Sequence, residues 1–495
     1  MTEFELKLEI LPDRLQPVAA AMREGKTGRQ RLQARYFDTE EGTLARHGIV
    51  LRVRKEGRKW LQTAKGPASG PVERLEHNVA LAAAAAGAAP APDLSRHAGT
   101  PVGDKIERAL KLKGGAIPPP LVPLYETDVQ RLTRSVELGV STVEIAFDQG
   151  RVVAGGRSFP LCELELELKQ GMPEDAVALA RDWCAEHGLW LSSITKSMKG
   201  QRLAAHQRFG PAVSARAPVF SRRAGGHQIT MTVLQACLEQ VVGNASEVAA
   251  GSSDADPIHQ LRVGIRRLRT ALREFKALAE GIAPAWEAPL VDVFRELGRH
   301  RDHSHLARRQ QPQIEAAGGP VLDANRASDA VPEAQAVVRS AAFQDALLCL
   351  IGFAHSADWG VGSPDPKSAM KIFCTRLQKL HAQTLKDGRK FMALEETRQH
   401  DVRKRLKRLR YLTEFVAPLF SRRRTEAFIS SLKPVQEALG LYNDELMALQ
   451  AYRSLAAQDP QAWFGVGWLA ARRAPNAKAC FDALQVFAKV RPYWD

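Results

Sequence analysis

Cysteine is scarce in this chain: Cys162, Cys184, Cys237, Cys349, Cys374 and Cys480 lie scattered through 495 residues, with no short metal-ligand spacing. That excludes a disulfide-framed module and a zinc knuckle, and it fits free thiols in a reducing compartment. No run of about 18 apolar residues occurs, so no membrane-spanning helix is expected. The N-terminus carries Glu where a secretory leader would be basic and then apolar, so a cytoplasmic protein without a membrane partner is the expectation. Aromatic residues make up only 6% of the chain, too few to interleave with its basic segments as base-stacking platforms, which disfavours a nucleic-acid ligand. There is no Gly-x-x-x-x-Gly-Lys-Ser/Thr stretch. The Gly-Gly pairs at Gly114 and Gly155 lack the strand-to-helix setting of a phosphate loop and read as turns.

Acidic residues are outnumbered. Against 70 Lys and Arg stand 55 Asp and Glu, a formal charge of +15, which points to an anionic partner: nucleic acid, a membrane surface or polyphosphate. The length accommodates two or three domains, each able to bury a core.

The first half alternates charge with bulk. In an extended strand Glu3, Glu5 and Lys7 share one face while Phe4, Leu6 and Leu8 share the other. The pattern returns in Leu51 to Lys55, Gln62 to Lys65, Arg74 to Glu76 and Cys162 to Leu168, where Glu163, Glu165 and Glu167 line one face. Three like charges on a strand face are unfavourable unless cations neutralise them, and oxygen ligands suit hard divalent ions such as Mg2+ or Mn2+. Arg52, Arg54, Lys65, Arg74 and Arg131 supply the complementary need, since guanidinium forks match phosphate oxygens. Each segment alone reads as a solvated edge strand. Together they predict a sheet closed around a polar interior that holds a metal and a polyanion.

The ordered set of Glu-x-Glu-x-Lys at the N-terminus, Arg52-x-Arg54, Lys65-Gly66 and the distal Glu163-x-Glu165 resembles the CYTH, or triphosphate tunnel metalloenzyme, family over residues 1–203. The resemblance implies an antiparallel barrel whose tunnel holds a triphosphate. It implies Glu3, Glu5, Glu163 and Glu165 as metal ligands, with Asp148 and Glu76 as supplements. It further implies Arg52, Arg54, Lys65, Arg74 and Arg131 as a phosphate cradle and Lys196 as a late tunnel lysine. Lys7 either orients or deprotonates the attacking water or simply contacts phosphate. Some relatives carry a second lysine two residues before the position of Arg131; Val129 stands there, so no lysine dyad is expected. The expected reaction is in-line attack of water on a terminal phosphoryl group.

Gly210-Pro211, Pro218 and Gly225-Gly226 mark a break in hydrophobic periodicity, read as a linker over 204–221. Ala82 to Gly103 and Pro312 to Pro332 read as an insertion and a long connection. Beyond the linker the period becomes helical and an internal repeat appears. His259-Gln-Leu-Arg262-Val-Gly-Ile-Arg266-Arg267-Leu-Arg269 is matched 141 residues later by His400-Asp-Val-Arg403-Lys404-Arg-Leu-Lys407-Arg-Leu-Arg410. Leu297-Gly298 and Asp302 follow the first copy as Leu439-Gly440 and Asp444 follow the second, with 43 and 44 residues from His to Asp. Duplication predicts two pseudo-symmetric helical bundles, about 222–320 and 338–490.

On a helix, His259, Arg262, Arg266 and Arg269 form one stripe and Leu261, Ile265, Leu268 and Leu272 another; the second copy does the same. A solvated basic face is the plain reading of one such helix. The repeated His-x-x-Arg start favours a bound polyanion, and this half resembles the CHAD domain over residues 222–490. The resemblance implies a groove or pore for inorganic polyphosphate lined by Arg262, Arg266, Arg269, Arg403, Lys404, Lys407 and Arg410 with His259 and His400. Asp302 and Asp444 are expected to pair with these cations.

The expected fold class is thus α+β and multidomain: an N-terminal antiparallel β tunnel with flanking helices, then an all-α domain. The expected function is metal-dependent hydrolysis of inorganic tripolyphosphate by the first, with long-chain polyphosphate bound by the second. The alternatives are a non-catalytic polyphosphate-binding or granule-associated protein, and a triphosphatase acting on thiamine triphosphate or ATP. Oligomeric state is left open.

Overall fold

The computed structural model describes residues 2–67, 73–82, 89–112, 117–305, 310–322, 332–356 and 363–494. The strands are β1 (Thr2–Glu9), β2 (Thr27–Asp38), β3 (Val50–Glu56), β4 (Lys59–Pro67), β5 (Glu73–Leu81), β6 (Val122–Leu138), β7 (Ser141–Ala154), β8 (Arg157–Gln170) and β9 (Trp190–Leu191). Helices α1 (Leu15–Met22), α2 (Thr43–Arg46), α3 (Pro101–Leu110), α4 (Pro173–His187) and α5 (Lys196–Ala204) accompany them. The helical half comprises α6 (Gly226–Ala249), α7 (Ala255–Glu274), α8 (Glu287–His305), α9 (Gln311–Ala316), α10 (Ala334–Val338), α11 (Ala341–His355), α12 (Pro366–Gly388), α13 (Glu396–Val416), α14 (Arg422–Ala456) and α15 (Trp463–Phe487).

The sheet runs β5-β4-β3-β2-β6-β7-β8-β1-β9, and β1 also pairs with β5. That extra pairing (Thr2 opposite Leu75, Phe4 opposite Glu73) closes eight antiparallel strands into a barrel, which removes their free edges. Alternation then has a structural meaning. Leu6, Leu8, Leu164 and Leu166 are fully buried on the outer face, beneath helices; Glu5, Lys7, Glu9, Glu163 and Glu165 point inward. A compact apolar cluster of Leu32, Tyr36, Tyr125, Val129, Val152 and Leu161 packs with Leu203 and Ala204 of α5. Gly200 lets α5 approach Tyr125 closely, because a Cβ there would lie 2.1 Å from the ring.

The stretch expected to be a mere insertion, residues 82–103, carries a fixed polar junction. Gln62 accepts from the Asp93 amide and donates to the Asp93 carbonyl, both at 2.7 Å. This locks the orientation of its amide, so Nε2 also donates to His97 Nε2 at 2.9 Å. His97 must then carry its proton on Nδ1 and donate it to His77 Nδ1 at 2.9 Å. Burial and His77 push the His97 pKa down to about 4.

By contacts the chain divides into two compact units. The first is Met1–Ser214 with Leu238–Pro257 and Val338–Ala357; the second is Ala215–Cys237, Ile258–Val337 and Asp358–Asp495. Within the first, α11 lies on α4, and Gly352 permits it: a Cβ would sit 3.3 Å from Val177. Gln344 accepts from the Leu191 amide at 2.8 Å, Ser246 from the Ser193 amide at 2.9 Å, and Glu247 receives Arg202 and the Gly210 amide. His355 meets Phe4 edge-on at 5.4 Å. In the second unit Leu261, Ile265 and Leu268 of α7 and Val402, Leu406 and Leu409 of α13 are buried, so each repeat helix sinks its apolar stripe and presents its basic one.

Candidate functional site

Inside the barrel three carboxylates from neighbouring strands, Asp148, Glu163 and Glu165, each offer an oxygen within 4.8 Å of the others. They converge on the ammonium of Lys196, at 2.7, 2.5 and 2.6 Å respectively. Lys196 opens helix α5, whose first turn is fixed by Thr195 Oγ1 accepting the Met198 amide at 3.2 Å; Lys199, three residues on, shares its face. Arg131 forks onto Asp148 at 2.7 and 2.6 Å and also reaches Glu165. Asp148 and Arg131 are register partners across β6 and β7, so this pairing is set by the sheet itself.

The charges tune each other. Burial opposes ionisation of Glu165, yet Lys196 and Arg131 outweigh it and hold the carboxyl down at about 2. Glu163 is likewise held well below the usual carboxylate range, with Lys196, Lys199 and Lys7 overcoming burial. Glu5 goes the other way: burial and the adjacent Glu165 push it up to about 7. Lys7, buried among Glu163, Glu9 and Lys199, is lowered, chiefly by desolvation. A trio of oxygen donors already gathered round one positive charge suits a hard divalent ion in donor type and in geometry.

By strand order β3 and β4 lie across the barrel from β8. They supply the basic wall. Arg52 is half-buried and hydrogen-bonded to Tyr36, and its Nε has no hydrogen-bond partner among the described residues. Arg54 pairs with Glu56, and burial together with Arg52 pulls its pKa down to about 10. Lys65 pairs with Glu76, its register partner. Glu76 was expected to supplement the metal set; it serves Lys65 instead and is not among the converging carboxylates. Glu3 and Arg74 face each other in the register of β1 and β5, but their side chains lie outside the described residues.

Sequence reasoning missed Glu9 and Lys199. Lys199 binds Glu9 at 2.8 Å and Glu163 at 2.9 Å, and Lys7 binds Glu9 at 3.2 Å. The signals were present: Glu9 continues the parity of Glu3, Glu5 and Lys7, and Lys199 stands one helical turn after Lys196.

In the second unit a cavity of about 650 Å³ opens between the two repeat helices. It is lined by Arg262, Arg266 and Arg269 of α7 and His400, Arg403, Lys404 and Lys407 of α13, all expected, and by Arg273, Arg408, Phe294 and Tyr411, which were not. Arg262 and Arg266 both lie over the Phe294 ring, at 4.6 and 5.4 Å. Gly298 makes room for the first, since a Cβ there would meet the Arg262 guanidinium at 2.6 Å. His400 Nδ1 meets the Asn443 side-chain oxygen at 2.8 Å. Arg410 does not line the cavity, because Glu414 one turn on and Gln436 hold it at 2.6 Å each. His259 is also absent from the lining. Asp444 also lines the cavity; the Asp302 side chain lies outside the described residues.

A charge-lined closed barrel and a basic helical cavity in one chain define a two-module protein. The family model of the CYTH domain matches residues 1–200 and that of the CHAD domain residues 232–453, so the chain joins a CYTH domain to a CHAD domain. It is similar to the inorganic triphosphatase of Haemophilus influenzae, 29% identical over 175 residues that cover 35% of this chain and 46% of that one. The chain thus spans about half the length of that relative. Among solved structures, the CHAD domain of the plant Ricinus communis shares 29% identity, covering 57% of this chain and 98% of that one at a TM-score of 0.46. A putative adenylyl cyclase from Hippeastrum, described as having a dominant triphosphatase activity, shares 18% identity over 42% of this chain and 97% of its own, at a TM-score of 0.29. Among the described residues no helix is long and apolar enough to cross a membrane.

Proposed function

We propose that the barrel hydrolyses inorganic tripolyphosphate with Mg2+ or Mn2+, and that the helical half, residues 222–490, binds long-chain polyphosphate. The observation that carries the reading is the trio Asp148, Glu163 and Glu165, converging on one cation inside a closed barrel whose far wall carries Arg52, Arg54 and Lys65. Those three, with Arg131 and Arg74, bind the phosphate chain and spread the charge that develops on the transferred phosphoryl group. With a divalent ion on those carboxylates, Lys196 would be free to bind a phosphate oxygen. That ion, held by Asp148, Glu163 and Glu165 with Glu3 and Glu5, would neutralise phosphate charge. Lys7, with its proton loosened by burial, orients the attacking water or accepts a proton from it. The Haemophilus influenzae relative supports the choice of inorganic triphosphate.

The test is phosphate release by the full chain from tripolyphosphate, ATP, thiamine triphosphate and long-chain polyphosphate, each with Mg2+ or Mn2+. Selective release from tripolyphosphate is expected. Preference for an organic triphosphate would reassign the substrate. No release from any of them, with long polyphosphate still bound, would make the protein a polyphosphate binder.

A further inference from the structure

Beside the carboxylate trio lie two residues to which the proposed reaction gives no role, Glu9 and Lys199. Lys7, Glu9, Lys199 and Glu163 form a ring of alternating charge. Lys7 Nζ lies 3.2 Å from Glu9 Oε1, Lys199 Nζ 2.8 Å from the same oxygen and 2.9 Å from Glu163 Oε2, and Lys7 Nζ 3.8 Å from Glu163 Oε2. Ser192 Oγ, 3.5 Å from Lys7, accepts at its outer side. Glu163 is fully buried and Lys7 is 7% exposed, so these charges answer to each other more than to solvent. Glu163 belongs to the ring through Oε2 and to the trio through Oε1, which faces Lys196 at 2.5 Å.

We infer that Glu9 and Lys199 are positioning residues: Glu9 draws Lys7 and Lys199 off Glu163, leaving that carboxylate free to serve the metal and Lys7 held beside it. Two cations flank Glu163 Oε2, and only Glu9 in this ring competes for them. With Glu9 made neutral, both settle on Glu163, and their charge opposes a divalent ion on the same carboxylate. With Lys199 also made neutral, the excess cation is gone and Glu163 is released. The effect is electrostatic and belongs to the pair, so it must cancel when both members are removed. This inference rests on the metal reading of the trio given above.

The test is Mn2+ binding to the full-length chain without phosphate substrate, read from the electron paramagnetic resonance signal of free Mn2+, for wild type, Glu9→Gln, Lys199→Met and the double variant. Glu9→Gln is expected to weaken Mn2+ binding about 10- to 100-fold, the range for a partner behind a ligand. The double variant should return to within about threefold of wild type, as coupled neighbours do. Lys199→Met alone should bind Mn2+ at least as tightly as wild type, which keeps the inference testable if Glu9→Gln fails to fold. Unchanged binding in Glu9→Gln, or equal weakening in all three variants, overturns it. Absence of Mn2+ binding by the wild type would instead overturn the metal reading itself, and this inference with it.

Discussion

The barrel interior and the helical cavity use the same basic residue types to opposite ends. In the barrel every described cation of the central network meets a carboxylate: Lys196 meets three, Arg131 two, Lys199 two and Lys7 two. In the cavity, among the described residues, eight Lys and Arg side chains line the wall with a single carboxylate, Asp444. Some of that excess is offset from behind, since Glu287 holds Arg269 and Arg273 and Glu274 holds Arg408. An internally balanced network can exchange partners as a reaction proceeds; an unbalanced one gains most when an external anion supplies the missing charge. The first arrangement suits chemistry and the second suits binding.

The sharpest way to break this comparison is to damage each region and read the other. Glu165→Gln removes one of the two carboxylates shared by Lys196 and Arg131; phosphate release from tripolyphosphate should fall at least about 100-fold while polyphosphate binding stays unchanged. Arg266→Ala with Arg403→Ala should do the reverse. Polyphosphate titrations at several salt concentrations should show weaker binding and a log-log salt slope shallower by about one to two units, with tripolyphosphate hydrolysis intact. Loss of both properties in either variant would mean the two regions are not separate.

The barrel should also show an acid limit. His97 is neutral in the fold and its pKa lies at about 4 against an ordinary 6.5, so the folded state binds fewer protons than the unfolded one between those values. Stability is therefore complete above pH 6.5 and falls as pH drops toward 4, by about 1–3 kcal/mol from this residue. Denaturant unfolding across that window should reveal the slope, and His97→Gln should flatten it. The smallest effect distinguishes the two repeats. Gly298→Ala displaces the Arg262 guanidinium and should weaken polyphosphate binding a few-fold, about 1 kcal/mol, without lowering the melting temperature. Gly440→Ala, with nothing within 4 Å, should change neither.

Much of the site was legible in sequence because alternation in a strand fixes which side chains share a face. Glu163 and Glu165 therefore declared a charged face, whereas the pairing of Asp148 with Arg131 became visible only in the β6–β7 register. Parity likewise places Glu76 inside the barrel, but only the β4–β5 register reveals that Lys65 stands opposite. Arg410 shares the basic stripe of its helix, yet Glu414 one turn away captures it. The His-x-x-Arg repeat identified the cavity helices, whereas Phe294, from α8, lay too far along the chain to be associated with Arg262 and Arg266.

The sequence by itself determined the two faces of each strand, the basic stripe of each repeat helix and the order of the two modules, since these follow from periods of two and 3.6 residues along one element. Tertiary structure alone decided what those faces meet. It closed the barrel through β1 and β5, brought Lys199 to Glu9 across 190 residues, and laid α11 against α4 rather than with the repeat that follows it. Such pairings depend on packing and charge between segments distant in the chain, and no local period encodes them.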